Sequence, residues 1–172
     1  MKLSTKGRYA VMAMVDLARQ CKGGPVALAD IALRQDISLS YLEQLFGKLR
    51  KGFQVKSVRG PGGGYLLARD ADEMKISDII MAVDEPIQTT RCTPGSPKGC
   101  RTDNSRCLTH DLWAELGNQI YVYLSSVSLA DVVENRILGT SGNVLFPSAK
   151  MTDEMNNPDM AMLQDRELRV AE

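Results

Sequence analysis

The 172-residue chain has one histidine and four cysteines, and no two cysteines form a Cys-x-x-Cys pair. A dithiol redox motif is therefore absent. With one imidazole, and carboxylates that lie on helix faces or in turns without a recognisable pair, acid–base catalysis has little to work with, and the chain does not read as an enzyme. No apolar run approaches the ~20 residues that a membrane-spanning helix needs. The basic start, Met1-Lys-Leu-Ser-Thr-Lys-Gly-Arg8, leads into an amphipathic segment and not into a signal-peptide core. A cytoplasmic protein with no membrane partner is expected, and there clustered cysteines are more often ligands than disulfides. The sequence has no internal repeat, and no net charge, since 21 Lys and Arg balance 21 Asp and Glu.

That balance hides an asymmetry. Residues 1–69 carry 12 Lys and Arg against 4 Asp and Glu, a net of +8, whereas residues 70–172 carry 9 against 17, a net of −8. A basic first segment is the electrostatic footprint of nucleic-acid binding. Unequal sorting of solvated charge would look the same, so the segment's pattern has to decide.

Tyr9, Ala10, Ala13, Met14, Leu17 and Ala18 recur every three or four residues, predicting a helix over about 5–20 that Gly23-Gly24-Pro25 ends. Cys21, far from the other cysteines, reads as incidental. A short helix over about 28–35 follows, with Leu28, Ile31 and Ala32 inward, and Asp36-Ile37-Ser38 is its turn. Ser38 is the candidate N-cap of a helix over about 39–51, although Ser40 and Glu43 also have capping-box spacing. Leu42, Leu45, Phe46 and Leu49 form its buried stripe, leaving Ser40, Tyr41, Glu43, Gln44, Lys48, Arg50 and Lys51 outside. Two short helices joined by a tight turn, the second basic at its end, fit a helix-turn-helix. Gln44 can pair with adenine, and Glu43 can accept from the cytosine amino group.

Phe53–Val58 and Gly64–Ala68 read as strands around Arg59-Gly-Pro-Gly-Gly-Gly64. Glycine supplies the positive backbone angles of such a tip, so the segment is a β-hairpin, and a hairpin directly after a helix-turn-helix is a wing. Arg59 at its base suits the negative minor groove. A phosphate-binding loop is discounted, because no Gly-Lys-Ser/Thr follows and Tyr65 replaces the third glycine of a dinucleotide fingerprint.

A helix over about 75–83 carries Ile76, Ile79, Ile80 and Val83, with Ser77 and Asp78 placed to cap or charge its first turn. A long helix over about 108–127 carries Leu108, Leu112, Leu116, Ile120, Leu124 and Val127, a stripe longer than packing on a small winged domain requires. It suggests a homodimer seam. Ser128-Leu-Ala-Asp131 opens a last short helix to about 136, and the polar remainder is expected to be a largely disordered tail.

Between these helices lie Cys92, Cys100, Cys107 and His110, within nineteen residues. Pro94, Gly95, Pro97 and Gly99 forbid regular structure between the first two cysteines. Such a loop concentrates soft ligands, and thiolate with imidazole suits zinc, iron or an iron–sulfur cluster.

Lys6-Gly-Arg-Tyr-Ala-Val11, Ser38-Leu-Ser-Tyr-Leu-Glu-Gln-Leu-Phe46, Val58-Arg-Gly-Pro-Gly-Gly-Gly-Tyr-Leu-Leu67 and the Cys92, Cys100, Cys107, His110 set together resemble the iron–sulfur cluster regulators among the Rrf-type winged-helix transcription regulators. The resemblance covers about residues 1–135. It implies a mainly α homodimer with a small β-hairpin wing, a winged helix-turn-helix plus a long dimerisation helix. It implies one 2Fe–2S cluster per subunit, received from the iron–sulfur assembly machinery and held by Cys92, Cys100, Cys107 and His110. The implied partner is a double-stranded DNA operator at iron–sulfur assembly genes, mostly repressed and at some promoters activated. The implied DNA contacts are Ser38, Ser40, Tyr41, Glu43, Gln44, Arg59 and Gly60, and the glutamate matching Glu43 helps separate cluster-dependent sites from those the cluster-free form also binds.

The loop departs from the family, with seven residues between the first two cysteines and six between the next two, longer than usual. Insertions of this size cost little closure entropy, so the cluster is still expected to form. Nitric-oxide-sensing relatives lack the Cys-x-x-His ending that His110 supplies here. Structural zinc sites accept Cys₃His but usually use tighter cysteine pairs. The organisation expected is a DNA-binding domain over 1–84 (helix-turn-helix about 28–51, wing about 53–68), a ligand loop over 85–107, dimerisation and last helices over 108–136, and a tail over 137–172.

Overall fold

The computed structural model describes residues 4–87, 89–90 and 99–137. All fall in the first of two units, Met1–Ile137 and Leu138–Glu172. Cys92 and the expected tail, apart from Ile137, lie outside the described residues.

Helix α1 spans Thr5–Gln20, and the Ser4 hydroxyl caps it by accepting from the Lys6 amide at 3.2 Å. Its inward face is small and apolar: Ala10, Ala13, Met14 and Leu17 are wholly buried. The alanines let neighbouring helices approach closely. A 3₁₀ turn at Cys21–Gly23 leads to α2, Leu28–Gln35. Asp36 closes α2 with a left-handed φ of 52°, and Ile37, 6% exposed, is driven into the core by that turn. Helix α3, Leu39–Lys51, buries Leu42, Leu45, Phe46 and Leu49, the stripe its periodicity predicts. Each such side chain contributes on the order of 1.5–3 kcal/mol by leaving water.

Strands β1 (Val55–Val58) and β2 (Gly64–Leu67) pair antiparallel with Val55 opposite Leu67 and Val58 opposite Gly64. The hairpin tip has Pro61 followed by Gly62 at φ 72°, closed by the Gly63 amide on the Gly60 carbonyl at 2.9 Å. Proline then glycine with positive φ is the signature of a type II turn. The strands are shorter than the sequence suggests. Phe53 adopts φ 55° and stands exposed, so the backbone turns before β1 can begin.

Helix α4 (Ile76–Ala82) buries Ile76, Ile79 and Ile80. Ser77 is buried inside its first turn, and Lys75 holds the N-cap position without a side-chain cap. Helix α5 runs His110–Ser126, two residues later than its periodicity suggests, because Leu108 and Thr109 form the turn before it. Helix α6, Leu129–Val133, starts at a capping box in which Ser128 and Asp131 bond reciprocally. It is shorter than expected, ending in turns through Ile137. Among the described residues one two-stranded sheet stands beside six α-helices. The core lies between α1, α2, α3, α4 and α6, with Phe46, Met14, Leu17, Met74 and Leu129 fully enclosed. Among the described residues no helix is long and apolar enough to cross a membrane.

Candidate nucleic-acid interface and metal loop

The interface begins with what holds α3 in place. Asp16 of α1 is only 5% exposed, yet it is fully engaged. Arg34 donates to it from Nη2 at 2.6 Å and from Nε at 3.1 Å, and Gln35 Nε2 at 2.6 Å. The Asp16 hydrogen bond holds the Arg34 pKa above its ordinary value. This charged fork ties α2 to α1 and thereby sets where α3 emerges. A carboxylate inside the apolar face of α1 was the sequence signal for it. Beneath α3, Tyr65 of the wing meets Phe46 edge-on at 4.9 Å between centroids, so wing and helix share one aromatic contact. The wing is also stitched to Val26, whose amide donates to the Tyr65 carbonyl at 3.0 Å while the Tyr65 amide returns a bond at 2.8 Å. A Cβ on Gly64 would collide with the Val26 carbonyl, so only glycine permits that stitch.

This scaffold leaves one polar face open. Ser38 occupies the N-cap position of α3, but its hydroxyl caps nothing; its carbonyl accepts from the Tyr41 and Leu42 amides, both at 3.1 Å. Ser40, Glu43 and Gln44 are exposed on the first turns. Among the described residues their side chains, and that of Arg59, have no hydrogen-bond or ionic partner. Tyr41 is half-buried and packs edge-on against Tyr9 of α1, at 6.0 Å and 85°. Arg59 is exposed at the base of the wing, and Gly60 begins the tip at φ 105°. The α3 and wing positions are thus presented by one compact unit, with Lys48, Arg50 and Lys51 in the last turn of α3. Lys48 is committed: it pairs with Asp84 at 2.9 Å, and Lys6 donates to the Asp84 carbonyl at 2.9 Å. The Lys48 ammonium holds the Asp84 carboxyl below the usual carboxylate range.

The second site lies at the start of α5. Cys100 Sγ stands 3.0 Å from His110 Nδ1. Cys107 is on the same turn as the histidine, its carbonyl accepting the His110 amide at 3.0 Å, and its Sγ lies 3.9 Å from Thr109 Oγ1. Cys100, Cys107 and His110 are half-buried. The structure brings Cys100 and His110 together and holds Cys107 beside them in sequence; Cys92 lies outside the described residues. Among the described residues no cluster of three or more potential ligands has metal-holding geometry. Two soft sulfur donors and an imidazole at the mouth of one helix nevertheless fit an iron or iron–sulfur centre in donor chemistry.

The sequence reading missed what surrounds this turn. The Trp113 indole donates to Thr109 Oγ1 at 3.1 Å, and the Thr89 hydroxyl donates to the Trp113 carbonyl. A tryptophan four residues after a threonine in a helix start was the available signal.

A helix-turn-helix with a wing packed on its second helix through Tyr65 and Phe46, and an open polar face beside them, defines a winged-helix DNA-binding transcription regulator. Residues 3–135 match the family model described as Rrf2, iron-dependent transcriptional regulator, and the chain belongs to that family. It is 54% identical over 143 residues to the HTH-type transcriptional regulator IscR of Photorhabdus laumondii, covering 83% of this chain and 85% of that one. Among solved structures, T. potens IscR superposes with a TM-score of 0.63 at 39% identity, covering 79% of this chain and 88% of that one. CymR, described as the global cysteine regulator of B. subtilis, gives a TM-score of 0.65 at 33% identity, with 78% and 98% covered. These relatives are regulators and not enzymes, as the sequence led us to expect of this chain.

Proposed function

We propose that this regulator reads the supply of iron–sulfur clusters and controls cluster-assembly genes, holding a 2Fe–2S cluster on Cys92, Cys100, Cys107 and His110. The observation that carries the reading is the 3.0 Å approach of Cys100 Sγ to His110 Nδ1 at the first residue of α5. When bound, the cluster supplies an occupancy- and redox-dependent tie between these ligands. The residues do the rest. His110 is fixed to the rigid start of α5, while Cys100 belongs to the loop, so joint ligation pins the loop to the helix. Thr89, before the loop, is held on the same helix by its bond to the Trp113 carbonyl.

Helix α5 is the element that would carry the signal across a homodimer. Gly117 is its one buried residue, whereas Leu112 is 62% and Val122 60% exposed. An apolar helix face of this kind is covered by a second copy in the reading proposed here, and the spacing of the two α3 helices follows from how the α5 pair crosses. A coupling of about 1–3 kcal/mol would switch operator preference. At the DNA, Gln44 and Glu43 address base edges in the major groove, with Ser38, Ser40 and Tyr41 beside them. Arg59 enters the minor groove while Gly60 lets the wing backbone approach a phosphate.

The test is Cys92→Ala purified without oxygen. The parent should show visible absorption with iron and sulfide each near two per chain. The variant should be colourless, folded and dimeric. Retained colour in Cys92→Ala would refute the ligand set, and a colourless parent with stoichiometric zinc would refute the cluster.

A further inference from the structure

We propose that Thr109 and Trp113 form a hydrogen-bond relay aimed at the Cys107 sulfur, and that this relay tunes the reduction potential of a cluster held there. The inference rests on the cluster reading above.

Thr109 does not do what its position favours. It is the N-cap residue of α5, where a hydroxyl normally accepts from an amide of the first turn. Its side chain makes no such bond. The first turn is instead closed through backbone carbonyls, with the His110 amide on Cys107 at 3.0 Å and the Trp113 amide on Thr109 at 3.2 Å. The hydroxyl has two other neighbours: Trp113 Nε1 at 3.1 Å and Cys107 Sγ at 3.9 Å, the latter long even for sulfur.

Counting hydrogens fixes the direction of both contacts. An indole N–H can only donate, so Thr109 Oγ1 must be the acceptor from Trp113. The hydroxyl keeps its one hydrogen. A ligating sulfur is a thiolate and can only accept. The chain of donation therefore runs from Trp113 through Thr109 to Cys107, and the indole bond fixes the rotor that aims the hydroxyl hydrogen. Bonds arranged head to tail in this way strengthen one another. The tryptophan is itself held, since the Thr89 hydroxyl donates to its carbonyl.

A hydrogen bond to a ligand sulfur draws electron density from the centre and favours its reduced state, raising the potential. Thr109→Val keeps the shape of the side chain and removes the hydroxyl. Trp113→Phe removes the indole donor together with one ring of the side chain, and Thr109→Val tests the hydroxyl without that loss of volume. Thr109→Ser keeps a hydroxyl at the same place.

The experiment compares these variants with the parent as full-length protein prepared without oxygen. Iron and sulfide are assayed first, and the potential is then measured by voltammetry. Thr109→Val should lower the reduction equilibrium constant about three- to tenfold, tenfold being about 59 mV for one electron. Trp113→Phe should lower it less, and Thr109→Ser should restore it. In cluster-free protein, the indole N–H of the single tryptophan should exchange with solvent faster in Thr109→Val than in the parent. An unchanged potential in Thr109→Val that still holds its iron and sulfide would overturn the relay and leave the cluster reading standing. Unchanged indole exchange would overturn it as well. A parent without iron and sulfide would overturn both.

Discussion

Thr89 and Gly117 meet side chain to backbone on the inner face of α5: a Cβ built on Gly117 would lie 2.6 Å from Thr89 Oγ1. The glycine makes room for the threonine to reach the Trp113 carbonyl one turn earlier. The segment leaving α4 is thereby laid along α5 just before the candidate ligand loop.

Gly117→Ala therefore sets two effects against each other. Alanine favours the helix by about 1 kcal/mol. It also forces Thr89 away. We expect the melting temperature to fall despite the better helix former. Thr89→Ala should remove the obstruction, so that the double variant is more stable than the sum of the single changes predicts, by about 0.5–3 kcal/mol. Additive losses in thermal unfolding would mean that the two residues are not coupled.

Gln44 and Arg59 should fail differently at DNA. Gln44→Ala removes the proposed base-edge contact, worth about 1–3 kcal/mol of discrimination. It should lower affinity for the operator and leave the salt dependence nearly unchanged. Arg59→Ala should weaken binding and flatten the plot of log affinity against log salt by about one unit. Fluorescence anisotropy across a salt series separates the two, and equal slopes for parent and Arg59→Ala would exclude an electrostatic role for that side chain.

Leu112 stands 62% exposed on α5 and contributes nothing to the core. Leu112→Glu should leave the fold intact by circular dichroism and convert the proposed homodimer to a monomer in sedimentation. Affinity for a two-half-site operator should drop with it. A variant that stays dimeric would place the seam elsewhere.

Acid should loosen α6 in a defined direction. The Ser128 hydroxyl and amide bond to Asp131, Arg136 adds to them, and together they hold the Asp131 carboxyl below its ordinary value. A carboxylate depressed by folding stabilises fully above its unfolded pKa of about 3.9 and ceases to do so as pH falls through the folded value. Asp131→Asn should be less stable than the parent at pH 7 in urea unfolding. The gap should close as pH falls below the ordinary carboxylate value. A gap that is constant with pH would show that the charge of Asp131 is not what caps the helix.

The sequence by itself determined the local elements. Apolar residues spaced three or four apart mark α1 through α5 to within two residues, since one face of a 3.6-residue helix must leave water. Arg59-Gly-Pro-Gly-Gly-Gly64 determined the wing tip, because positive backbone angles select glycine. The Cys-x-x-His ending marked a candidate ligand turn through its chemistry, and the exposed residues of α3 were legible as the polar remainder of an amphipathic pattern.

Only the tertiary structure decided where those elements meet. It placed Cys100 at His110, packed Tyr9 on Tyr41, closed Arg34 and Gln35 on Asp16, and set Thr89 against Gly117. It also moved Phe53 out of the strand and freed the hydroxyls of Ser38 and Thr109 from the capping their positions favour. Periodicity reports which side of an element is buried, and residue type reports what a side chain can do. Neither reports its neighbour, because these contacts join segments whose approach depends on the packing of the whole core.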